Sequence, residues 1–313
     1  MAAQSTIVFA DMGADTPQAP SAVAASIARQ AHESLAAGQY DVALKPMSAD
    51  DVREAIRAMP VGHGRLSLDR DLVLIDAGAL LALAPYSARV VLTRDPFVGA
   101  EVLAATLGLD VDSVRVRIHD ALLSASKVVC LGSAAFDAVT PLVSRKPEER
   151  MFPPTALTVA ATGGAILIVN NEDERAGQDL AASLSDAFPS MDFRAFDPAS
   201  VFEMPWRAVI QNGIARSSLP GARLSDAWAG AVPVLQLANR ASLMAHNRRQ
   251  GSLTDLVVEH GRSGLLFSST DELFASLRDV LLDPLPGRSV ARAARRRVDP
   301  PAQWDALLKV ILQ

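Results

Sequence analysis

At 313 residues the chain is long enough for about two domains of ordinary size. Half of it is hydrophobic and 21% is charged, with a formal net charge of −5, which fits a globular chain with a sizeable core and argues against nucleic acid as a partner. A single cysteine, Cys130, excludes an internal disulfide, and the five histidines (His32, His63, His119, His246 and His260) have no spacing that suits a metal or a catalytic triad.

Short β-branched runs alternate with longer amphipathic stretches, the pattern of βα units on a parallel sheet. The first strand is Ile7 to Ala10, followed by a Gly/Asp/Pro loop and an Ala-rich helix over Ser21 to Ala37. A second strand, Tyr40 to Leu44, precedes a short helix over Ala49 to Met59, whose Asp50 and Asp51 suit the positive end of its dipole. Asp71 to Asp76 and Arg89 to Thr93 are continuous apolar runs, as expected of strands covered on both faces. Helices are expected over Val98 to Leu107, Ser113 to Ala125 and Phe136 to Val143. Lys127 to Leu131 is a fifth strand and makes Cys130 an inert core thiol. The polar, proline-broken stretch Ser144 to Pro154 is the expected linker between domains.

A second α/β series then begins, with strands expected over Ala165 to Val169, Met191 to Phe196, Ala208 to Ile210, Val232 to Leu235 and Gly264 to Phe267. Its helices are expected over Asp173 to Phe188, from Leu224 to Ala229, over Leu253 to Glu259, and over Asp271 to Leu282 with Ser268, Ser269 or Thr270 as N-cap. From Ser289 onward two helical pieces are broken at Pro300-Pro301. The N-terminus lacks a basic segment followed by a long apolar run, and no apolar run approaches the ~20 residues of a membrane-spanning helix. The expected compartment is the cytoplasm, with contact at the inner face of the membrane left open.

The most informative segment runs from Asn212 to Phe267. Ser218-Leu-Pro-Gly221-Ala-Arg-Leu-Ser-Asp226-Ala-Trp-Ala229, followed by Val232-Pro233-Val234, resembles the sugar-nucleotide segment of retaining GT-B glycosyltransferases, especially glycosyltransferase family 4. That family has an acidic residue, a Gly three positions on, a second acidic residue eight positions after the first, and then a Pro-Val strand. Val257 to Phe267 is similar to the family's turn between the site and the next strand, and the resemblance continues to the closing Arg-rich helix and Trp304. It is good over residues 156–313 and only architectural over 1–155.

The resemblance implies an α/β, GT-B fold: two Rossmann-like α/β domains facing a central cleft. Residues 1–150 would form an acceptor-side domain and 151–290 a nucleotide-sugar donor domain, with helices in 291–313 packing back toward the first. It implies a retaining glycosyltransferase that moves a sugar from a nucleoside diphosphate donor to a carbohydrate or lipid-linked acceptor in cell-surface polysaccharide or glycoconjugate synthesis. No metal or other cofactor is implied, since stabilisation of the departing diphosphate by the protein is the main catalytic contribution.

Asp226 falls on the family's second acidic position and is assigned to the ribose, whose hydroxyls a carboxylate can accept; the alternative is a helix-start acid. Ser218 stands at the first acidic position, beside the donor sugar, and cannot supply a negative charge. Where the family has an Arg and a Lys after the first strand of the donor domain, this chain has Arg175 followed by Ala176, in an otherwise acidic turn. Gly221 lies within the motif, and Asn239 and Arg240 sit in the loop that approaches donor sugar and phosphates. Gly13 follows the first strand, where the family brings a Gly-rich loop to acceptor and diphosphate. Arg94 and Asp95 end the fourth strand at the carboxyl edge of the sheet, where α/β ligands gather, and are candidate catalytic residues facing the cleft as base or acceptor contact; an exposed ion pair is the other reading. Arg292, Arg295, Arg296 and Arg297 form a cluster suited to an anionic membrane or a lipid-linked phosphate, or simply to solvent. A non-catalytic GT-B-like protein that binds a nucleotide sugar or a partner glycosyltransferase is the second reading, and an epimerase-type enzyme the third.

Overall fold

The computed structural model describes residues 4–10, 20–33, 40–58, 67–83, 86–92, 96–97, 100–131, 133–150, 152–154, 160–170, 174–197, 205–212, 224–237, 258–282 and 284–312. The chain divides into two compact units, Met1–Phe152 with Pro301–Gln313, and Pro153–Pro300.

The first unit holds β1 (Gln4–Ala10), α1 (Pro20–Glu33), β2 (Asp41–Met47), α2 (Ala49–Ala58), β3 (Ser67–Ile75), α3 (Ala77–Leu83), β4 (Tyr86–Leu92), α4 (Ala100–Leu107), α5 (Val111–Ser124), β5 (Lys127–Leu131), α6 (Ser133–Val139) and β6 (Glu148–Arg150). Its six strands are all parallel, in the order β2-β1-β3-β4-β5-β6. Alternation along β1 sends Val8 and Ala10 to one core, with α2 to α6, and Ile7 and Phe9 to the other, with α1. Helix starts are fixed by side chains: Asp110 accepts the Ser113 N–H at 2.9 Å, which sets the start of α5 before Ser113. At α2 the pairing is reciprocal, since Ser48 Oγ accepts the Asp51 N–H and the Asp51 carboxylate accepts the Ser48 N–H.

Two elements depart from the sequence expectation. Helix α3 is absent from the expected elements because Gly78 to Ala82 are all buried, so its sequence is apolar on every side and shows no amphipathic period. Strand β6 lies inside the expected linker. Its backbone pairs with Val129, Cys130 and Leu131, and its side chains Glu148, Glu149 and Arg150 are the charged, half-buried residues of an edge strand. Glu148 is held from both sides, by Lys127 at 3.0 Å and Arg150 at 2.8 Å.

Cys130, opposite Glu149 in this register, has no exposed surface, and burial pushes its thiol from the ordinary 9.0 up to about 12, with the Glu149 charge adding to the effect. We expect no reaction with a thiol reagent at pH 8 in the native protein and immediate reaction on unfolding, read by absorbance. Because the unfolded thiol ionises first, its contribution to stability is lost as pH rises from 9.0 towards about 12.

The second unit holds β7 (Ala160–Val169), α7 (Glu174–Ala187), β8 (Phe193–Ala195), β9 (Trp206–Gln211), α8 (Leu224–Ala229), β10 (Val234–Leu237), β11 (Leu265–Phe267), α9 (Thr270–Leu282) and α10 (Pro284–Arg295). Its five strands are also all parallel, ordered β11-β10-β9-β7-β8. Counted from its own first strand this is the order 2-1-3-4-5, the same winding as in the first unit. Helices α8 and α10 cover one face and α7 and α9 the other. The helix expected over Leu253 to Glu259 lies mostly outside the described residues. Helix α9 begins with Ser269 Oγ accepting the Glu272 N–H at 3.2 Å, while the Glu272 carboxylate accepts from Ser268 at 2.7 Å. Ala291 and Ala294 of α10 are buried, Ala294 in the second unit's core, and the chain returns to the first unit only with α11 (Pro300–Leu312).

Candidate functional site

In an open parallel sheet, helices leave the two faces in opposite directions where the strand order reverses, and a crevice opens at the carboxyl ends of the strands there. Each unit has one such point, between β1 and β3 in the first and between β7 and β9 in the second.

In the first unit the point is closed by Asp76, the residue that follows β3. Asp76 has φ of 81°, a left-handed conformation that costs a non-glycine residue about 1–2 kcal/mol. Its carboxylate offsets the cost: one oxygen accepts the Ala10 N–H at the end of β1 at 2.9 Å, and the other caps α3 by accepting the Ala79 N–H at 3.0 Å. Asp76 thus joins the two strands at the switch point and turns β3 directly into a helix. An acidic residue closing an apolar run, followed at once by Ala77-Gly78, is the signal that marks it in the sequence.

In the second unit, β7 ends at Val169 and β9 at Gln211, joined by the Asn212 N–H donating to the Val169 carbonyl at 2.8 Å. Helix α7 follows β7 on one face and α8 follows β9 on the other. Asp226 lies in the first turn of α8 and has no exposed surface. Arg175, the second residue of α7, is exposed, and a β-carbon added at Gly177 would lie 3.5 Å from that of Asn170, the residue after β7. The topology therefore starts both helices from the same sheet edge, on opposite sides of it. Ser218, Gly221, Asn239, Arg240, Gly13, Arg94 and Asp95 lie outside the described residues.

The face of the sheet under α8 carries polar groups that the apolar pattern concealed. Gln211 and Gln236 are register partners on β9 and β10, and both are buried. Gln236 accepts the Val258 N–H at 3.4 Å. Gln211 Nε2 and Trp228 Nε1 are buried donors without a hydrogen-bond partner among the described residues, a costly state that a ligand or water oxygen would relieve.

The turn expected at His260-Gly261 is built from side chains as well as backbone. Arg262 and Ser263 donate their N–H groups to the Glu259 carbonyl at 3.0 Å, and Ser263 Oγ accepts the Glu259 N–H at 2.9 Å. Arg297 closes it from outside, pairing with Glu259 at 3.1 Å, donating to Ser263 Oγ at 3.2 Å and lying 5.3 Å from the Trp228 ring. Arg297 is therefore a structural clamp between this turn and α8, separate in role from the other arginines of its cluster. Gly264 is required by close approach: a β-carbon there would lie 2.8 Å from the Val234 carbonyl oxygen and 2.6 Å from a Val258 methyl. Among the described residues no group of His, Cys, Asp and Glu is arranged to hold a metal ion.

Neither a protein-family model nor a curated protein sequence matches the chain. Solved structures do. A sucrose-phosphate synthase from Thermosynechococcus elongatus superposes with a TM-score of 0.51 at 13% identity, over 97% of this chain and 96% of its own. The catalytic domain of starch synthase IV from Arabidopsis thaliana, bound to ADP and acarbose, superposes with a TM-score of 0.55 at 8% identity, over 98% of each. The chain has the GT-B fold. The GT-B likeness runs through both units, including the first, where the sequence resemblance was only architectural. At such identities it carries the path of the backbone and no residue role. No helix among the described residues is long and apolar enough to cross a membrane.

Proposed function

We propose that this GT-B chain is a retaining glycosyltransferase of the family 4 type, which takes a sugar from a nucleoside diphosphate and passes it to a carbohydrate or lipid-linked acceptor. The observation that carries the reading is the second unit's switch point, where α7 and α8 start on opposite sides of one sheet edge and α8 places Asp226 in its first turn. The motif from Ser218 to Asp226 resembles the family's sugar-nucleotide segment, and the braced turn from Glu259 to Gly264 lies in the stretch that resembles the family's turn between the site and the next strand. The similar starch synthase structure holds ADP, a nucleoside diphosphate, which supports the donor class.

In this reading Asp226 accepts the ribose hydroxyls, and Gly221, Asn239 and Arg240 border the donor sugar and phosphates. Arg175 and Gly13 contact the diphosphate, Ser218 sits beside the donor sugar, and Arg94 and Asp95 face the acceptor. Synthesis of cell-surface polysaccharide or glycoconjugate at the cytoplasmic side of the membrane is the setting. No metal is needed, because a diphosphate leaving group can be stabilised by cationic side chains and backbone N–H groups.

A second reading is favoured by three features: Ser218 in place of an acid, Ala176 in place of a lysine, and an Asp226 that a ligand must uncover before touching it. In it the chain binds the nucleotide sugar, or a partner glycosyltransferase, without turning the sugar over. Calorimetric titration with a panel of nucleotide sugars, followed by transfer and donor-hydrolysis assays on whichever binds, separates the two. We expect binding that Asp226→Asn weakens by about tenfold or more, the loss of one charge-assisted hydrogen bond. Binding without turnover supports the non-catalytic reading, and no binding by a folded protein across the panel removes both the donor-site assignment and the role proposed for Asp226.

A further inference from the structure

The cluster of arginines near the C-terminus divides once its surroundings are known. Arg297 is engaged by Glu259, Ser263 and Trp228. Arg292 and Arg296 belong, with Arg288, to a different surface. Helix α10 buries Gly287, Ala291 and Ala294 and turns Arg288 and Arg292 outward, with Arg296 one turn further on. These three, spaced four apart, line a depression of about 320 Å³ together with Leu285, Ser289 and Ala293.

Three aspects of this surface need explaining. First, residues 284–298 contain five arginines and no acidic residue, in a chain whose formal net charge is −5. Second, many arginines elsewhere are paired, Arg53 with Asp50, Arg115 with Glu101, Arg150 with Glu148 and Arg194 with Asp192. The guanidinium groups of Arg288, Arg292 and Arg296 have no ion pair or hydrogen bond among the described residues. Like charges four residues apart on a helix repel, so the free protein carries an unfavourable arrangement that an anion would relieve. Third, Leu285 is 70% exposed within the arginine face and Leu282, just before the helix, is 78% exposed. A small soluble anion has no use for exposed leucines. A surface that offers phosphates and hydrocarbon together does.

We propose that the outer face of α10 is a docking surface for an anionic lipid bilayer, with Arg288, Arg292 and Arg296 on headgroup phosphates and Leu282 and Leu285 entering the interface. A helix with a basic polar face and a few large apolar side chains lies in the plane of such an interface, and each basic side chain near the surface adds to the attraction. The inference is independent of the proposed sugar chemistry, since it uses no residue of the donor site.

Vesicle co-sedimentation of the full chain tests it, with vesicles of phosphatidylcholine alone and of phosphatidylcholine mixed equally with phosphatidylglycerol. The expected result is binding to the mixed vesicles only, falling as salt is raised, as for any interaction of exposed charges. Changing Arg288, Arg292 and Arg296 together to Ser is expected to weaken binding by about a hundredfold. Leu282→Ser with Leu285→Ser should also weaken it. All five side chains lie at the surface, so circular dichroism should be unchanged, and the salt dependence of the unaltered protein stands whatever the variants do. Failure of the unaltered protein to bind mixed vesicles overturns the proposal, as does undiminished binding by the arginine variant. Loss in the arginine variant with none in the leucine variant overturns the entry of Leu282 and Leu285 into the interface, since the surface would then meet the bilayer by charge alone.

Discussion

Replacing Trp304 by alanine is expected to destabilise the first unit by about 3–5 kcal/mol, the usual loss for a large buried aromatic. Trp304 belongs to α11, which reaches the first unit only after the chain has built the whole of the second. Its ring packs edge-on against Phe152 with centroids 5.4 Å apart and planes at 73°. Phe152 is the last residue before the chain leaves the first unit, and Trp304 is among the first after it returns. One ring contact therefore sits at both crossings and closes a loop that contains an entire unit. Behind it, Leu307, Leu308 and Ile311 fill the same core as Ile7, Phe9 and Ile27. Truncation removes the transfer energy of the indole and leaves a cavity that close-packed neighbours fill only in part. Equilibrium denaturation followed by circular dichroism measures the loss. Because two units share the chain, two transitions are to be expected, with only one of them moving. A shift below about 1 kcal/mol would mean that α11 is not held by this ring. Trp304→Phe, which keeps an aromatic edge, should recover part of the loss.

What could be read from the sequence was decided by whether a residue's surroundings are local. The run Ala165 to Val169 is apolar without interruption because the strand is covered on both faces, and that needs no knowledge of what covers it. Cys130 is legible for the same reason. Helix α3 is hidden by the converse: it too is covered all round, so the periodicity that announces α2 or α7 never forms. Strand β6 is held by backbone pairing to β5, and nothing in Glu148-Glu149-Arg150 records that a strand edge is waiting for it. The same division runs through the site. That Asp226 lies at a helix start is local, and the sequence carries it. That its carboxylate has no exposed surface is a property of tertiary packing, which leaves no local mark. Asp76 and Gln211 are each a polar residue closing an apolar strand. Only the strand order identifies those strand ends as the switch points of their sheets. Arg292, Arg295, Arg296 and Arg297 read as one cluster in the sequence, and their surroundings separate a clamp, Arg297, from an open face that Arg292 and Arg296 share with Arg288.

Two neighbouring glycines in β7 give the sharpest contrast available in this fold. Gly164→Ala is expected to cost about 3 kcal/mol or more, at or beyond the upper end for overpacking, because its obstacle is backbone and not a movable side chain. A β-carbon at 164 would stand 2.0 Å from the carbonyl oxygen of Pro205 and 2.7 Å from its carbonyl carbon. Pro205 immediately precedes β9, the neighbour of β7 on the side of the switch point. Relief would require the two strands to separate where their register already shifts, between Ala160 and Ala165. A second shift follows between Ala165 and Ile166, and from Ile166 the pair runs in register to Val169 and Gln211, so a displaced β9 would carry the floor of the candidate site with it. At Gly163 the same added methyl meets nothing within 4 Å among the described residues. Gly163→Ala should therefore be neutral or stabilise slightly, by up to about 1 kcal/mol, through the smaller entropy of the unfolded chain. Thermal melts of the two single variants decide the matter. Equal effects would show that strand propensity, and not the contact with Pro205, governs this stretch. A large loss at 164 alone, accompanied by loss of any nucleotide-sugar binding, would tie the close approach of β7 and β9 to the geometry of the switch point.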